Sequence, residues 1–234
     1  MIYINISYKK MKTDKLVIIG SGETALLAYE YFTTDSNYEI VAFSIELDYL
    51  TEKVLNGLPL VPLENLIQLY PPDCYNCFIA ISSTQLNRLR TRLYKKVKTM
   101  GYRLASYISS RAFVWNNVKI GENCFILENN TLQPFVEIGN NVILWSGNHI
   151  GHRTKILDNC FITSHVVISG FCVIKENCFI GVNATISNNV TIEKDCLISL
   201  ATVVSKNTES GGIYKGNPGT KHKLSTKIFF NLSE

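Results

Sequence analysis

The sequence IGENCFILENNTLQPFVEIGNNVIL, residues 120–144, places an aliphatic residue at every sixth position. The spacing continues without a miss to Val204, and Ile108 and Val114 extend it toward the N-terminus. An α-helix repeats every 3.6 residues and a strand every two, so a strict period of six predicts short strands separated by regular corners. The aliphatic positions are Ile120, Ile126, Leu132, Ile138, Leu144, Ile150, Ile156, Ile162, Ile168, Ile174, Ile180, Ile186, Ile192, Ile198 and Val204.

A second inward position follows each aliphatic residue by four, and it always holds a small or short side chain. A large residue at the axis and a small one near the corner predict a three-sided prism of parallel strands whose coils share one core. With three units to a coil, residues 108–207 predict about five coils. The small positions are Cys124, Asn130, Val136, Val142, Asn148, Thr154, Cys160, Val166, Cys172, Cys178, Ala184, Val190, Cys196 and Thr202.

A different pattern precedes the repeat. Residues 15–19, KLVII, indicate a buried strand, a glycine turn follows, a helix is expected through Phe32, and residues 38–43 form a second strand. A third strand is expected at Phe78–Ser82 and a basic helix at Thr84–Met100, ended by the glycine that follows. Fewer than 100 residues leave room for three or four strands, which favours a mononucleotide site over a full dinucleotide fold.

The turn after the first strand is the candidate nucleotide site. Gly20 and Gly22 allow the backbone to turn tightly and approach a phosphate, with Glu23 at the start of the helix. Glu46 and Asp48 follow the second strand, where an acidic residue commonly meets a ribose. A tight strand-to-helix turn with no ligand is the open alternative.

Composition and charge narrow the class of protein. The chain has 234 residues, 46% hydrophobic and 18% charged, with a net charge of +4, and this mild charge does not require a nucleic-acid partner. No run of 18 apolar residues predicts a membrane span, and the first ten residues lack a signal peptide's apolar core, so we expect a cytoplasmic protein. The predicted domains are an α/β unit at 12–104, a β-helix at 105–207 and a tail at 208–234.

The seven cysteines are interpreted as structural. Five occupy small inward positions of the repeat, where a thiol acts as a small hydrophobe. Cys74 and Cys77 form a C-x-x-C pair, which could be a redox pair or half of a zinc site, but no second pair or nearby histidine completes a metal site, and the pair leads straight into a predicted strand.

The two patterns together resemble the bacterial hexapeptide-repeat sugar acyltransferases, which include the UDP-4-amino-sugar N-acetyltransferases and the sialic-acid O-acetyltransferases. The resemblance rests on GSGETA at 20–25, the linker segment LNRLRTRLYKKVKTMGYRLASYISSRAFV at 86–114, GNHIGH at 147–152 and YKGNPG at 214–219. It implies a left-handed parallel β-helix behind a Rossmann-like domain that holds a nucleotide-linked sugar. It also implies a homotrimer that binds acetyl-CoA between neighbouring subunits.

Acetyl transfer requires a general base and a donor that holds the developing oxyanion. Three of the four histidines, His149, His152 and His165, lie within the repeat, and the register turns all three outward. Aligned by motif, the family's catalytic histidine falls on His152. His165 is then the candidate donor to the acetyl carbonyl, and His149 is the third candidate.

The sequence departs from the family pattern around His152. Arg153 stands where a carboxylate often follows the histidine, and Phe161 replaces a second histidine. Asp158 or Glu176, from another coil or subunit, are the candidate orienting partners.

The acyl donor is expected along the later coils. Backbone groups at Gly181, Ala201 and Thr202 are candidates for the pantetheine arm, and Lys206 and Lys221 for the phosphates. The glycine-rich segment 211–219 is expected to be a loop, either at the mouth of the CoA groove or as the cap of the solenoid.

The expected function is N-acetylation of a UDP- or dTDP-linked 4-amino-deoxy sugar by direct attack on acetyl-CoA, with no metal. One alternative is O-acetylation of sialic acid or a related sugar. An alternative of another class is a non-catalytic trimeric nucleotide-binding scaffold. A zinc enzyme with three histidine ligands is disfavoured, because their spacing places them on different faces.

Overall fold

The computed structural model describes residues 11–216 and contains an α/β domain followed by a parallel β-helix. The predicted fold class is confirmed. The strands of the first domain are β1 (Asp14–Ile19), β2 (Tyr38–Ile45), β3 (Val54–Leu55), β4 (Leu58–Pro62) and β5 (Asn76–Ile79), and the helices are α1 (Glu23–Asp35), α2 (Leu66–Leu69) and α3 (Arg88–Thr99).

The α/β domain has one sheet of five strands in the order β3-β4-β2-β1-β5. All neighbours are parallel except β3 and β4, which form a hairpin. The chain builds outward from β1 through β2 and then returns to the other side of β1 with β5. The carboxyl end of β1 is therefore the point where strand order reverses, which is where ligands bind in open α/β sheets.

Three expected elements differ in the structure, and one of them is the third strand, which was expected at Phe78–Ser82 and is β5 at Asn76–Ile79. The expectation of three or four strands was wrong, because the β3–β4 hairpin adds two to the three strands identified from the sequence. Helix α3 begins at Arg88 rather than at Thr84, since Gln85, Leu86 and Asn87 adopt left-handed backbone with φ of 53°, 48° and 66°. A right-handed helix cannot pass through such residues.

The C-terminal domain is a three-sided prism of two-residue strands, and each strand pairs in parallel with its counterpart in the next coil. We name the three sheets by what they present. The docking sheet contains β6 (Tyr107–Ile108), β9 (Phe125–Ile126), β12 (Ile143–Leu144), β15 (Phe161–Ile162), β18 (Phe179–Ile180), β21 (Leu197–Ile198) and β23 (Ile213–Tyr214). The histidine sheet contains β7 (Phe113–Val114), β10 (Thr131–Leu132), β13 (His149–Ile150), β16 (Val167–Ile168), β19 (Thr185–Ile186) and β22 (Val203–Val204). The charged sheet contains β8 (Lys119–Ile120), β11 (Glu137–Ile138), β14 (Lys155–Ile156), β17 (Val173–Ile174) and β20 (Thr191–Ile192).

The predicted core positions are confirmed. Every aliphatic repeat residue from Ile126 to Val204 is buried, and so is every small residue from Cys124 to Thr202. The five cysteines of the repeat are free thiols in this core. Ile108 is 39% exposed because no coil covers it at the N-terminal end.

The β-helix extends past residue 207, the predicted end of that domain. Ile213–Tyr214 pairs with Leu197–Ile198 as the last strand of the docking sheet, so the segment predicted as a loop contains a strand. Tyr214 also packs against the core, which supports the cap interpretation of this segment.

Most corners of the β-helix contain one residue with positive φ. The corners of successive coils stack along the three edges of the prism. The asparagine corner joins the charged and docking sheets, the His165 corner joins the docking and histidine sheets, and the His152 corner joins the histidine and charged sheets. At the asparagine corner the left-handed residues are Asn123, Asn141, Asn159, Asn177 and Asp195. Asparagine tolerates this backbone better than most residues, and side-chain amides there bond from coil to coil at 2.8 Å.

The α/β domain covers the docking sheet and the asparagine corner. Phe32 and Phe78 pack with Phe125 of the docking sheet in one apolar cluster. Arg90 of α3 is fully buried, and its Nη2 donates to the carbonyls of Asn141, Asn159 and Cys160 at 3.1–3.2 Å. Burial lowers the pKa of Arg90 to about 10, yet its hydrogen bonds hold the helix against the β-helix.

Candidate active site

The three histidines lie on one side of the prism. His149 is half-buried on the outer surface of the histidine sheet, paired in register between Thr131 and Val167. His152 and His165 are exposed on the two corners that border this sheet. The predicted outward placement is confirmed, but the width of the sheet separates His152 from His165. Within one chain these two side chains do not form a single site.

The two corners beside the histidine sheet differ from the asparagine corner in the residues that adopt left-handed backbone. Asparagine, aspartate or glycine fills two thirds of the left-handed positions in the β-helix, and the exceptions are confined to the two corners that border the histidine sheet. A side chain without that tolerance costs roughly 1–3 kcal/mol in this backbone, and such strain clusters at functional sites. The exceptions are Phe135, Arg153, His165, Phe171 and Ala201, with φ of 53–65°.

Close contacts hold the imidazole of His152. The side-chain oxygen of Gln133 accepts the backbone N–H of His152 at 2.9 Å and faces its Nδ1 at 3.3 Å. The ring of Phe171 meets the imidazole edge-on, with centroids 5.0 Å apart. Gly170 leaves room for the ring, since a Cβ there would lie 2.7 Å from Cε1 of His152. His152 lies on an exposed corner, so its imidazole remains accessible to solvent or to a substrate.

The candidate orienting carboxylates are elsewhere. Asp158 accepts the backbone N–H of Asn140, and Glu176 follows Lys175 on the same corner, the one that faces α3. Neither can reach His152 of its own chain, because the charged sheet lies between the two corners. The sequence did not single out Gln133, which lies one coil before His152.

Arg153 and Phe161 take other roles than catalysis. The guanidinium of Arg153 stacks over the ring of Phe135, 4.4 Å from its centroid, and so points to the preceding coil. Phe161 is buried in the cluster between the domains, stacked on Phe179 with centroids 5.6 Å apart.

The metal-ligating side chains are dispersed over the described part of the chain. In residues 11–216, no group of three histidine, cysteine, aspartate or glutamate side chains is arranged to hold a metal ion. In the C-x-x-C pair, Cys74 is exposed, whereas Cys77 is buried within β5, where burial raises the pKa of its thiol.

The glycine turn lies at the point where strand order reverses. Gly20 has φ +135°, and a Cβ there would lie 2.7 Å from the carbonyl oxygen of Ala80, so the fold itself requires this glycine. Gly22 is different, because its φ is −83° and a Cβ would meet nothing within 4 Å. Gly22 and Glu23 are exposed, and the N-terminus of α1 has no side-chain cap. Space for a ligand therefore lies over Gly22 rather than Gly20.

Glu46 is already engaged within the chain. Its carboxylate receives two hydrogen bonds from Arg92, at 2.6 and 2.7 Å, and lies 3.4 Å from Lys96. The Arg92 hydrogen bonds hold the pKa of Glu46 below its usual range. A ribose hydroxyl would have to compete with Arg92 for this carboxylate.

Some of the residues predicted to bind the acyl donor already make hydrogen bonds within the β-helix. The N–H groups of Gly181 and Ala201 donate to neighbouring coils at 2.7 and 2.8 Å, so these two groups are not free donors for a pantetheine arm. Thr202 is buried and donates its hydroxyl to the carbonyl of Leu200 at 3.4 Å. Lys206 is exposed, whereas Lys221 lies outside the described residues.

One cavity of about 670 Å³ lies at the end of α1 away from the glycine turn. Tyr31, Asp35 and Glu128 are among its lining residues, and Tyr31 donates to Glu128 at 2.8 Å. Burial, with this hydrogen bond to a carboxylate, raises the pKa of Tyr31 to about 12. No predicted site residue lines this cavity.

Comparison with known proteins agrees with this architecture. The family model described as bacterial transferase hexapeptide (six repeats) matches residues 117–151 and 135–170. Residues 117–170 are therefore similar in sequence to this hexapeptide-repeat family. No curated protein matches the chain by sequence.

Solved structures with the same fold cover both domains. A histidine-to-alanine variant of GDP-perosamine N-acetyltransferase from Caulobacter crescentus, in complex with CoA and GDP-perosamine, is 23% identical with a TM-score of 0.77, covering 87% of this chain and 94% of that one. The acetyltransferase domain of PglB from Neisseria gonorrhoeae is 22% identical with a TM-score of 0.76, covering 88% and 98%. WeeI from Acinetobacter baumannii is 21% identical with a TM-score of 0.68, also covering 88% and 98%. The chain has the two-domain fold of these proteins.

Among the described residues, no helix has the length and apolar character to cross a bilayer.

Proposed function

We propose that the protein is an acetyl-CoA-dependent N-acetyltransferase acting on a UDP- or dTDP-linked 4-amino-deoxy sugar. The observation that carries the proposal is an exposed, anchored histidine on a hexapeptide β-helix whose whole two-domain fold is shared with a GDP-perosamine N-acetyltransferase. That enzyme was solved with CoA and a nucleotide-linked sugar, and in a variant lacking one histidine.

In the proposed reaction His152 acts as the general base. Its imidazole takes a proton from the sugar amine as the nitrogen attacks the thioester carbonyl, and a C–N bond forms. The resulting oxyanion requires a hydrogen-bond donor, for which we propose His165 or a backbone N–H group. The intermediate then collapses, the C–S bond breaks, and the CoA thiolate takes the proton from His152. No metal enters this sequence.

The position of His152 supports a homotrimer. In a three-sided prism, the His152 corner lies opposite the docking sheet, which the chain's own α/β domain covers. A sugar whose nucleotide is held by that domain therefore reaches the His152 of a neighbouring copy. His165 of one copy and His152 of the next can then approach one another, which a single chain does not allow.

Exposed apolar side chains mark the surface available for such contacts. They form a stripe along the histidine sheet and the His152 corner, and burying them against another copy is favourable at about 25 cal/mol per Å². The stripe consists of Phe113, Trp115, Phe135, Val167, Phe171 and Val203, which are 40–72% exposed.

We place the nucleotide diphosphate over Gly22 and the uncapped N-terminus of α1, where free N–H groups favour an anion. Gly20 shapes this turn, and Glu23 borders it.

We place the acyl donor beside Gly181, Ala201 and Thr202. Backbone carbonyls would contact it there, because the N–H groups of Gly181 and Ala201 already donate hydrogen bonds within the β-helix. We place Lys206 and Lys221 near its phosphates. Both substrates are cytoplasmic metabolites, which is why we also propose a cytoplasmic location.

The experiment follows release of the CoA thiol from acetyl-CoA with a panel of UDP- and dTDP-linked 4-amino sugars beside free sialic acid. We expect turnover with a nucleotide-linked amino sugar, a loss of about 10²–10⁴-fold in His152→Ala, and unchanged turnover in the exposed control Lys194→Ala. Turnover with sialic acid alone would make the protein an O-acetyltransferase. Nucleotide-sugar binding without turnover by a folded trimer would favour the scaffold, and normal turnover in His152→Ala would remove the proposed base.

A further inference from the structure

We infer that Gln133 is a positioning residue that fixes the tautomer of His152 and so leaves its Nε2 free to accept a proton. The inference deepens the proposed function and rests on it for its catalytic meaning. It also supplies the orienting partner that the sequence left open. Both residues lie on the His152 corner, in successive coils of the β-helix.

The identity of the Gln133 atom that faces the ring follows from the backbone. The N–H of His152 can only donate, and its partner at 2.9 Å must therefore be the amide oxygen, not the amide nitrogen. The same oxygen lies 3.3 Å from Nδ1. An oxygen that only accepts requires Nδ1 to carry the proton. The lone pair of the neutral imidazole then lies on Nε2.

Two further contacts hold the ring in the orientation that this hydrogen bond needs. Phe171 packs edge-on against it, at an interplanar angle of 82°. The missing side chain of Gly170 gives the ring its space, because a Cβ would be 2.7 Å from Cε1 and 3.0 Å from Nε2. The imidazole is therefore restricted on three sides while the corner stays exposed.

The positioning group is neutral, which distinguishes this site from a histidine paired with a carboxylate. Gln133, Gly170 and Phe171 contribute no charge to the imidazole. The adjacent charged side chain, Arg153, is held over the ring of Phe135. Gln133 thus sets the tautomer without adding a negative charge that would favour the imidazolium.

The direct test reads the tautomer by ¹⁵N NMR of histidine-labelled protein at a pH where His152 is neutral, with resonances assigned by His152→Ala. We expect a protonated Nδ1 and an unprotonated Nε2 in the wild type. In Gln133→Met, which keeps the length but removes the acceptor, we expect a mixture or the opposite tautomer. The matched control Gln68→Met, at an exposed position of α2, should match the wild type. A protonated Nε2 in the wild type, or no change in Gln133→Met, would overturn the inference.

Kinetics provide the second readout. Gln133→Met should lower kcat about tenfold with little change in KM, because binding is intact and only the base is misaligned. Gln133→Glu should restore most of kcat while moving the acid limb of the pH–rate profile upward by about one unit, since a carboxylate favours the imidazolium. Full kcat in Gln133→Met would contradict a positioning role. If no panel substrate is turned over but the tautomer still follows Gln133, the geometry stands and the proposed reaction fails.

Discussion

Arg90 is expected to hold the two domains together, and its replacement by methionine tests this. Its Nη2 donates hydrogen bonds to three carbonyls of the β-helix. Its Nη1 donates to the carbonyl of Ser82 at 3.2 Å and to the side-chain oxygen of Asn87 at 3.4 Å. Methionine fills a similar volume but cannot donate. The matched control is Arg88→Met on the same helix, since Arg88 makes an exposed ion pair with Asp195 at 2.5 Å.

The magnitude follows from the groups left without a partner. The carbonyl of Cys160 also accepts the N–H of Ile143 in the preceding coil, whereas those of Ser82, Asn141 and Asn159 receive the hydrogen bonds of Arg90. At about 1 kcal/mol for each buried carbonyl, Arg90→Met should lower the free energy of unfolding by about 3 kcal/mol. Breaking other buried ionic contacts costs a similar 3–5 kcal/mol or so. The exposed pair of Arg88 should contribute less than about 1 kcal/mol.

The assay is thermal unfolding followed by circular dichroism at fixed protein concentration. For a chain of this length, 1 kcal/mol corresponds to roughly 2–4 °C. We therefore expect a decrease in Tm of about 6–12 °C for Arg90→Met and less than about 4 °C for Arg88→Met. Equal Tm values for the two variants would refute the reasoning, because the buried guanidinium would then do no more than a surface charge.

Three further predictions concern the nucleotide turn, an ion pair and the strained corner. Gly20→Ala should destabilise the fold by about 2 kcal/mol or more, because its φ is +135° and its Cβ would contact Ala80, whereas Gly22→Ala should keep the wild-type Tm and weaken nucleotide-sugar binding in calorimetry. A wild-type affinity in Gly22→Ala would place the phosphates elsewhere. The lowered pKa of Glu46 means that its stabilising contribution is present above the usual glutamate pKa and is lost as pH falls, so urea unfolding of Glu46→Gln should depend less on acid than that of the wild type. A pH dependence identical to the wild type would show that the Arg92 pair contributes no stability. Phe171→Asn should lower kcat by releasing the His152 ring, although asparagine suits the φ of 57° at this corner. An unchanged kcat would separate Phe171 from the site.

The β-helix could be predicted almost completely because one coil repeats the same packing requirement. The period of six identified the residues from Ile126 to Val204 that fill the interior of the prism. Two further sequence patterns predict features of the fold that the period of six does not. Asparagine returns just before many of the small positions and marks the left-handed corners, and Asn56-Gly57, with φ of 47° and 77°, is the turn of the β3–β4 hairpin.

The site could be predicted only in part. The register turned the three histidines outward, but the placement of His149 on a sheet and of His152 and His165 on two different corners depends on which sheet each strand joins. The contact between Gln133 and His152 links residues 19 apart, and it follows from coil stacking rather than from a local motif. The pairing of Glu46 with Arg92 joins two elements of the α/β domain, and nothing in the sequence near Glu46 indicates it.

The measurement that tests the central claim most directly is identification of the product. The protein, acetyl-CoA and a UDP- or dTDP-linked 4-amino sugar are incubated, and the sugar nucleotide is analysed by mass spectrometry before and after mild alkali. We predict a mass increase of one acetyl group that survives the alkali, because an amide resists hydrolysis under conditions that cleave an ester, and its loss in His152→Ala. An acetyl group that alkali removes, or an unmodified sugar in the presence of folded trimer, would contradict the proposed N-acetyltransferase.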